Sequence, residues 1–333
     1  MPEAIIQTEK RTFTYIQAVN EALRWALTEY PEALFFGEDV ALPGGPYGAS
    51  KGLRKQFGER VFDTPISESA MLGAAVGAAM RGRRPIVEIM FGDFFLVALD
   101  QLINQAANVR YVSRGRFTCP MTVRSQHAAQ PGACAQHSQS LEAFFAHVPG
   151  LRLGLPATPE DAFEMLRSAI ASDDPVVILE SRAFYQDRAE IDVNGPVQQP
   201  GGARCLRAGT DLTVVTWSQM VGRAMEAAEE LATRGIEVDL FDLRWLNPMD
   251  IEAVLASVAR TGRLMIVHEA NITGGFGAEI AAQVSKEGFW HLDAPIERVG
   301  ALDVRVPASP PLNAAVIPQI ATIVEAAERL LTH

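Results

Sequence analysis

The pattern of apolar and polar residues switches repeatedly along this chain between the spacing of a helix and the short apolar runs of buried strands. Between Tyr15 and Trp25 the apolar residues recur every three or four positions, as on one face of a helix, and the apolar run 33–36 is typical of a buried strand. The same exchange continues as far as residue 180. The further elements predicted in this half are helices over 69–81, 95–112, 139–146 and 159–171, and strands over 85–91, 121–124, 151–155 and 176–180.

A break in this pattern separates the two halves of the chain. Residues 187–209 contain Asn194-Gly195-Pro196 and Pro200-Gly201-Gly202 but few periodic apolar positions, which is typical of an exposed linker. Because strands alternate with helices in both halves, we predict an α/β fold of two doubly wound domains, residues 1–186 and 210–333, joined by this linker. The elements predicted in the second half are strands over 212–217, 238–243 and 264–268, and helices over 219–233, 249–260, 276–287 and 314–331.

Composition and charge narrow the class of protein. The 333 residues, of which 48% are hydrophobic, are enough to bury a core in each domain. The formal net charge of -11 repels phosphate groups, so we expect neither nucleic acid nor a membrane surface as a partner. Three cysteines without CxxC spacing indicate neither a disulfide framework nor a zinc site. Since the chain has no basic and apolar leader and no apolar run of about 18 residues, we expect a cytoplasmic protein.

Glu68 is the most informative residue for function. It follows Pro65 at the start of the predicted helix 69–81, where the helix dipole favours a carboxylate, and an ordinary helix-start glutamate is the simpler explanation. The helix is rich in alanine and glycine, however, and Gly73 and Gly77 allow another backbone to approach closely. A carboxyl group at the mouth of such a buried helix loses hydration, which favours the protonated form that general acid catalysis requires.

Two further residues, Phe94 and His137, are candidates for a role in ligand binding or catalysis. Phe94, in the run Phe91-Gly92-Asp93-Phe94-Phe95, follows a predicted strand, where a ring can stack on a flat heterocycle, although core packing is the simpler explanation. His137 lies in a turn-prone segment, which is typical of a solvated loop histidine and also of one that transfers protons. The chain contains no GxSxG, Walker A or HExxH motif, and the glycines after Thr273 do not match GxGxxG.

Several segments resemble the β subunit of the thiamine-diphosphate-dependent E1 component of 2-oxo acid dehydrogenase complexes, the pyruvate and branched-chain group of the transketolase superfamily. They run in order over nearly the whole chain, so the resemblance is specific. It implies a first domain that binds the aminopyrimidine ring of thiamine diphosphate and a second domain like the transketolase C-terminal domain. The matching segments are Phe36-Gly37-Glu38-Asp39-Val40, Lys51-Gly52-Leu53, Arg60-Val61-Phe62-Asp63-Thr64-Pro65, Gln136-His137-Ser138-Gln139-Ser140, Phe144-Phe145-Ala146-His147, Asp242-Leu243-Arg244 and Thr261-Gly262-Arg263-Leu264.

The resemblance also implies roles for the three residues singled out above. Glu68 matches the glutamate that hydrogen-bonds the pyrimidine N1′ atom and favours the imino tautomer, which removes the thiazolium C2 proton. Phe94 matches the position at which the family stacks an aromatic ring on the pyrimidine. His137 matches the active-site histidine linked to handling of the intermediate and to reductive acylation of lipoamide. The cofactor itself acts as the electron sink.

By the same resemblance, the chain works together with other subunits. Family members hold the diphosphate and Mg²⁺ through a GDG-to-Asn motif on an α subunit, whereas Gly92-Asp93-Phe94 lies in the aromatic segment here. We therefore expect no activity of this chain alone, but an α₂β₂ heterotetramer with a β–β contact and an E2 acyltransferase as acceptor. Some relatives also hold a potassium ion, which the resemblance places near the carbonyl groups of Ala169 and Ile170 and the acidic turn at Asp174.

One segment departs from the family pattern. Before His137 the family usually carries several glycines, whereas residues 125–136 contain a single one here and include the titratable His127. Fewer glycines restrict the backbone angles, so the choice of substrate or acceptor can differ from that of a standard pyruvate enzyme. Residues 268–270 and 273–276 resemble branched-chain relatives, and the sequence leaves the choice of 2-oxo acid open.

We therefore predict an E1 β subunit that, with an α chain, catalyses oxidative decarboxylation of a 2-oxo acid with acyl transfer to lipoyl-E2. Three alternatives stay open. Activation by Glu68 would also serve a diverged carboligase, lyase or acetoin-cleaving β subunit. A non-catalytic assembly subunit would only dimerise and hold a partner, and a nicotinamide-dependent dehydrogenase is the generic alternative for two α/β domains.

Overall fold

A computed structural model describes residues 9–130 and 132–333, in which strands and helices alternate as predicted. The strands are β1 Lys10–Thr14, β2 Ala33–Gly37, β3 Val61–Asp63, β4 Arg84–Ile89, β5 Thr122–His127, β6 Arg152–Gly154, β7 Val176–Ser181, β8 Arg188–Asp192, β9 Arg204–Arg207, β10 Leu212–Thr216, β11 Val238–Asp242, β12 Trp245–Asn247, β13 Leu264–Asn271 and β14 Glu297–Ala301. The α-helices are α1 Tyr15–Glu29, α2 Leu53–Phe57, α3 Glu68–Met80, α4 Val109–Val112, α5 Glu142–Ala146, α6 Pro159–Ala171, α7 Met220–Thr233, α8 Ile251–Thr261, α9 Gly277–Glu287, α10 Pro310–Val316 and α11 Ile320–Leu331. Within this described part, no helix has both the length and the apolar character needed to cross a lipid bilayer.

The chain forms two compact units whose membership does not strictly follow chain order. The first unit contains the residues up to Gln126 together with Val148–Pro200, and the second contains His127–His147 together with Gly201–His333. The segment predicted as a linker, 187–209, is not a loop throughout, because β8 pairs antiparallel with β1 and β9 pairs antiparallel with β11. Both strands are short and only partly buried, so their alternation is hidden among the neighbouring glycines and prolines.

The first unit is built on a sheet of order β6-β7-β5-β4-β2-β3. Strands β2, β3, β4 and β5 are parallel to one another, as are β6 and β7. Strands β4 and β7 are buried almost throughout, as strands covered on both faces must be. Helix α1 packs along α6, and α3 packs against β4. The carboxyl ends of the parallel strands therefore meet at one edge of the sheet, which is where Glu38 follows β2.

The second unit has a sheet of order β14-β13-β10-β11-β9, in which β9 is antiparallel and the other pairs are parallel. Helices α7 and α11 pack together, and α8 packs against α9. Right-handed crossovers place these two helix pairs on opposite faces of the sheet. Apolar side chains of α7, α11 and the strands form one continuous core between them. The two sheets with their helices confirm the predicted α/β class.

Two predicted helices are wrong in detail. The segment predicted as helix 95–112 instead forms a 3₁₀ turn over Gly92–Val97, a π turn over Gln101–Gln105, a 3₁₀ turn over Ala106–Asn108 and α4, and the first two of these turns pack against α3. The predicted helix 314–331 is interrupted between α10 and α11, where Pro318 lacks the N–H group that a continuous helix needs.

Candidate active site

Glu68 occupies the first position of α3, directly after the N-cap residue Ser67, as the sequence predicted. The residue is only 8% exposed. The helix that follows is apolar almost all round, although Ser67, Ser69 and Ala70 at its start are exposed. Of the two glycines in this helix, Gly73 has a close neighbour, since an added Cβ atom would lie 3.1 Å from Oε1 of Gln101, whereas an added Cβ at Gly77 meets nothing within 4 Å.

A second acid, Glu38, interacts electrostatically with Glu68. It follows β2, is buried, and its Oε1 atom has no hydrogen-bond partner. Burial raises the pKa of Glu38, and the negative charges of Glu68, Asp39 and Glu88 raise it further. A buried acid without a partner next to another acid is typical of a functional site. Two features of the sequence point to Glu38: it follows a buried strand, and it lies in the family-like segment Phe36-Gly37-Glu38-Asp39-Val40, although no role was predicted for it.

Phe94 lies in the 3₁₀ turn Gly92–Val97, which packs against α3, the helix that begins with Glu68. Its half-buried ring stands edge-on to Phe91, with 5.6 Å between the ring centroids. On the Phe91 ring lies the guanidinium group of Arg182, 5.1 Å from the centroid, and this group also donates a hydrogen bond of 2.9 Å to the hydroxyl of Tyr47. The fold therefore brings the elements that carry Glu68 and Phe94 into contact.

A buried ionic ladder crosses the centre of the same sheet. Arg124 on β5 lies between Glu88 on β4 and Glu180 on β7, and all three side chains are almost fully buried. The Nε and Nη2 atoms of Arg124 donate to the two oxygens of Glu180 over 2.7 and 2.6 Å, and Nη1 donates to Glu88. The hydroxyl of Tyr185 donates to Glu180 over 3.1 Å. These bonds fix the strands near the end at which Glu38 stands.

His137 belongs to the second unit. It lies in residues 127–147, which we call the His137 segment, and is half-buried. Its backbone N–H donates to the carbonyl of Cys134 over 3.4 Å, in a turn where Cys134 has the positive φ of 52°. Glu68 and Phe94 thus lie in the first compact unit, whereas His137 lies in the second.

Several hydrogen bonds tie the His137 segment to the rest of the second unit. The backbone N–H of Ala129 donates to Glu269 at the end of β13, and the indole N–H of Trp217 donates to Glu142 over 3.2 Å. The ring Nε2 of His127 lies 3.2 Å from the hydroxyl of Ser218, and the N–H of Gly132 donates to the carbonyl of Ala308 over 2.9 Å. Burial lowers the pKa of His127 to about 3. None of the three side-chain pairings is visible in the sequence, because the partners are far apart along the chain.

His268, one residue before Glu269, is packed in a cage of glycines. Its ring stacks on Trp217 with 5.4 Å between the centroids and 12° between the planes. A Cβ atom added at Gly275, Gly277 or Gly300 would lie 2.8, 2.7 or 2.9 Å from this ring. These glycines therefore do more than form a turn: they leave room for an imidazole ring. Burial lowers the pKa of His268 to about 4, so the ring is neutral at ordinary pH.

Comparison with known protein families decides the relationship. The family described as transketolase, pyrimidine binding domain, matches residues 11–187, and the family described as transketolase, C-terminal domain, matches residues 201–323. The chain belongs to the transketolase family. The predicted family and the predicted order of its two domains are confirmed, while the exact boundaries at residues 186 and 210 stay predictions.

Individual relatives of this transketolase-like chain agree with the predicted group. The pyruvate dehydrogenase E1 component subunit beta of Leifsonia xyli is 39% identical over 333 residues, which cover 99% of this chain and 98% of the relative. The 2-oxoisovalerate dehydrogenase subunit beta of Bacillus subtilis is 40% identical, and the match covers 89% of this chain and 91% of the relative. The beta subunit of an acetoin:2,6-dichlorophenolindophenol oxidoreductase of Cupriavidus necator is 41% identical, with 94% and 96% coverage.

A solved structure supports the fold of the transketolase-like chain independently. The structure described as a split gene transketolase, inactive beta4 tetramer, superposes with a TM-score of 0.77 at 24% sequence identity, and the match covers 96% of this chain and 98% of the other. At this identity the likeness concerns the fold alone. The predicted doubly wound domains are thereby confirmed.

The residues predicted to hold potassium have partners of their own. The carbonyls of Ile170 and Ser172 accept hydrogen bonds of 2.6 and 2.8 Å from the guanidinium group of Arg84, and the carbonyl of Ala169 accepts one from the N–H of Ser172. The carboxylate of Asp174 binds Arg110 and Arg152. A potassium ion here would have to share the carbonyl of Ile170 with a guanidinium cation, so these residues fit the ion only in part. Over residues 9–130 and 132–333, no three His, Cys, Asp or Glu side chains form a group that could hold a metal.

Proposed function

We propose that this chain is the β subunit of a thiamine-diphosphate-dependent E1 enzyme, which decarboxylates a 2-oxo acid and passes the acyl group to a lipoyl group on an E2 acyltransferase. The observation that carries the proposal is the buried carboxyl group of Glu68 at the start of α3, next to the turn that holds Phe94. Support for the reaction class comes from relatives named as E1 β subunits, which are 39% and 40% identical to most of this chain.

Thiamine diphosphate fits the residues of the first unit. Glu68 offers a carboxyl group with little access to water, which suits a hydrogen bond to the N1′ atom of the aminopyrimidine ring. The half-buried ring of Phe94 offers a face for stacking, and the unpaired Oε1 atom of Glu38 offers a further polar group near Glu68. When bound, the cofactor supplies a carbon nucleophile for the keto group and an electron sink for the loss of CO₂. Glu68 would hold the proton shared with N1′, and Phe94 would orient the ring.

His137 is assigned to the acceptor half of the reaction. In the proposal its imidazole gives a proton to the lipoyl sulfur that is released as a thiol when the acyl group binds the other sulfur. An imidazole ring can both give and regain a proton, which suits this role. The bonds that tie the His137 segment at both ends support this role, because a proton donor must be held in place.

Partner subunits are part of the proposal. Helix α3 leaves Ala70, Ala74 and Met80 exposed, and its side chains line a cavity of about 310 Å³ together with the apolar rings of Phe36 and Phe62. A helix that is apolar on all sides is normally covered, so this face is suited to another chain. We propose an α₂β₂ assembly with a β–β contact, in which the α subunit binds the diphosphate and Mg²⁺.

The substrate is proposed as a 2-oxo acid without a choice between pyruvate and branched-chain acids. Relatives named for pyruvate and for 2-oxoisovalerate are 39% and 40% identical, so identity does not separate them. Decarboxylation by the co-expressed α/β complex, measured across a panel of linear and branched 2-oxo acids, would identify the preferred acid.

The central test replaces Glu68 by Gln or Ala in the reconstituted α/β complex. If the carboxyl group activates the cofactor, the decarboxylation rate falls by about 100-fold or more, as for the loss of a general acid or base. Glu59→Gln is a matched control, since the Glu59 side chain is 92% exposed in the same unit. A rate that stays within about twofold of the wild type for Glu68→Gln, well below that 100-fold loss, would favour a non-catalytic assembly subunit.

Potassium is tested separately from the reaction. The thermal unfolding midpoint of the complex is compared in KCl and NaCl at equal ionic strength, because a bound ion stabilises the folded state. A midpoint that is higher in KCl supports an ion at Ala169, Ile170 and Asp174. Equal midpoints would remove potassium from the proposal and leave Arg84 as the cation of this turn.

An acetoin-cleaving enzyme is the second candidate, because two relatives named as acetoin:2,6-dichlorophenolindophenol oxidoreductase β subunits are 41% and 40% identical to this chain. It predicts that the α/β complex reduces the dye with acetoin faster than with any 2-oxo acid. Both candidates require Glu68, so the substrate panel separates them and the Glu68 variants do not.

A further inference from the structure

The carboxyl ends of β10 and β13 form the crevice at which a doubly wound sheet usually binds ligands. The two strands are neighbours, and the chain leaves them towards opposite faces, through α7 after β10 and α9 after β13. In this protein the His137 segment is fastened at both strand ends. Ala129 binds Glu269 on β13, and Glu142 binds Trp217, which follows β10. The crevice of the second unit therefore holds a part of the chain itself.

Both fastening groups are buried carboxyl groups with one free oxygen. Glu269 is 4% exposed and Glu142 is 1% exposed. The Oε1 atoms accept the bonds from Ala129 and Trp217, whereas both Oε2 atoms are buried without a partner. Because an unpaired buried carboxylate oxygen is costly, a native structure retains such groups where they have a role.

A cavity of about 70 Å³ connects Glu269 with the residues next to His137. Its walls include Glu269 together with Ser138, Gln139 and Ser140, which directly follow His137. The hydroxyl of Ser138 is buried and has no partner, and Gln139 accepts a hydrogen bond of 3.2 Å from the guanidinium group of Arg305, which also lines the cavity. The space is large enough for water, which needs about 10–15 Å³ and several polar neighbours. Glu269 and the residues that directly follow His137 thus line the same cavity.

We propose that Glu269 is a positioning residue for His137: its carboxyl group holds the beginning of the His137 segment through the amide of Ala129, while Glu142 holds the end of the segment through Trp217. The inference rests on the proposed function and deepens the role of His137 within it. Glu269 touches neither substrate nor cofactor in this role. It acts by keeping the histidine at a fixed place for acyl transfer.

The proton on Glu269 decides how well the segment is held. The charged and titratable groups around Glu269 are Glu142 from the segment, Arg223 from α7, His268 next to it on β13 and Arg305 across the shared cavity. Burial, together with the nearby Glu142, raises the pKa of Glu269 to about 8, although the hydrogen bond from Ala129 and the charge of Arg223 both lower it. Loss of the proton would place an uncompensated negative charge in the buried crevice next to Glu142, which burial disfavours. The segment is therefore held most firmly below this pKa, and its hold weakens as pH rises through about 8.

The test measures two reactions of the reconstituted α/β complex with Glu269→Gln and Glu269→Ala. One is acyl transfer to a lipoyl domain, and the other is dye-linked decarboxylation, which does not require the lipoyl group. Gln mimics the protonated acid, so Glu269→Gln should keep the neutral-pH transfer rate within about twofold and lose the decline above pH 8 that we expect of the wild type. Glu269→Ala should lower kcat of transfer by about tenfold, which corresponds to the loss of one buried hydrogen bond, and change the dye-linked rate much less.

Hydrogen exchange gives a readout apart from activity. Amides of residues 127–147 should exchange faster in Glu269→Ala than in the wild type, and at the wild-type rate in Glu287→Gln, an exposed control in the same unit. An alkaline decline that persists in Glu269→Gln, a loss of its activity at neutral pH, or unchanged exchange in Glu269→Ala would each overturn the positioning role. If Glu68→Gln abolishes both reactions in the same experiments, the proposed function stands even when the Glu269 result is negative. If Glu269→Ala does not fold, the pH profile of Glu269→Gln decides alone.

Discussion

Removing Arg124 should destabilise the first unit more than removing any surface arginine. In Arg124→Met the apolar stem is kept and the guanidinium group is lost, so Glu88 and Glu180 stay buried on the two flanking strands without a cation. Arg124 is 1% exposed and donates to three carboxylate oxygens of these two residues. The change therefore leaves two buried carboxyl groups without their cation, although the hydroxyl of Tyr185 still donates to Glu180.

The expected loss follows from the geometry of this ladder. Breaking a buried ion pair by removing one partner costs about 3–5 kcal/mol, because the remaining charge is left uncompensated in the interior. In a unit of about 150–250 residues, 1 kcal/mol lowers the unfolding midpoint by about 2–4 °C. Arg124→Met should therefore lower the midpoint of the first unit by about 6–20 °C at neutral pH. The difference should shrink as pH falls, since protonation makes the abandoned carboxyl groups neutral.

Calorimetry of the α/β complex measures this loss, with Arg110→Met as the control. Arg110 also binds a carboxylate, Asp174, over 2.6 Å, but its side chain is 46% exposed, and such pairs contribute about 0–1 kcal/mol. The triple change Arg124→Met, Glu88→Gln, Glu180→Gln should recover much of the stability, because it removes the charges as well. If Arg124→Met and Arg110→Met lower the midpoint equally, the ladder does not stabilise the sheet as argued here.

Three further changes test other parts of the two units. Because burial raises the pKa of Glu38 from its ordinary value of 4.5, the folded state gains stability from its proton at low pH and loses this stability as pH rises. Glu38→Gln should therefore flatten the decline of the unfolding midpoint with pH, and an unchanged decline would contradict the raised pKa of Glu38. Phe94→Ala should weaken binding of thiamine diphosphate to the complex by about tenfold in a fluorescence titration, as expected for the loss of one aromatic contact, and equal affinity would exclude stacking. Gly277→Ala should lower stability by about 1–3 kcal/mol, because its Cβ atom would lie 2.7 Å from the His268 ring, and the added change His268→Ala should restore part of this loss in the same unfolding assay.

The sequence predicts most of the fold because local patterns and packing agree along most of the chain. Helix α3 begins at Glu68 and ends at Met80, one residue from each predicted end, since its residues favour a helix and its surroundings accept one. Residues 95–112 have the apolar spacing of a helix as well, yet they form a series of tighter and wider turns along α3. The spacing of apolar residues shows which side chains face the core. The local backbone conformation also depends on tertiary packing, here against α3, which the spacing does not show.

The position of a candidate site residue could be predicted where it depends on the neighbouring sequence, but not where it depends on a partner far away along the chain. Glu68 is the first residue of α3, and Phe94 lies in the turn that follows β4, so their positions follow from local sequence. Glu269 meets Ala129 across 140 residues, and Trp217 meets Glu142 across 75. Nothing in the neighbourhood of Glu269 indicates that it is buried with a free oxygen, because burial of this kind is decided by the order of the strands in the sheet.

The buried acids of the two units differ in what compensates them. In the first unit Arg124 supplies a cation to Glu88 and Glu180, and burial nevertheless raises the pKa of Glu88. In the second unit Glu269 accepts a bond from a backbone amide, and burial raises its pKa to about 8 although that bond and Arg223 lower this value. The shifts of Glu88 and Glu269 have the same sign: a group whose pKa is higher in the folded state stabilises that state in its protonated form, and this contribution is lost as pH rises. Alkali should therefore loosen the His137 segment, and Glu269→Gln should remove this effect.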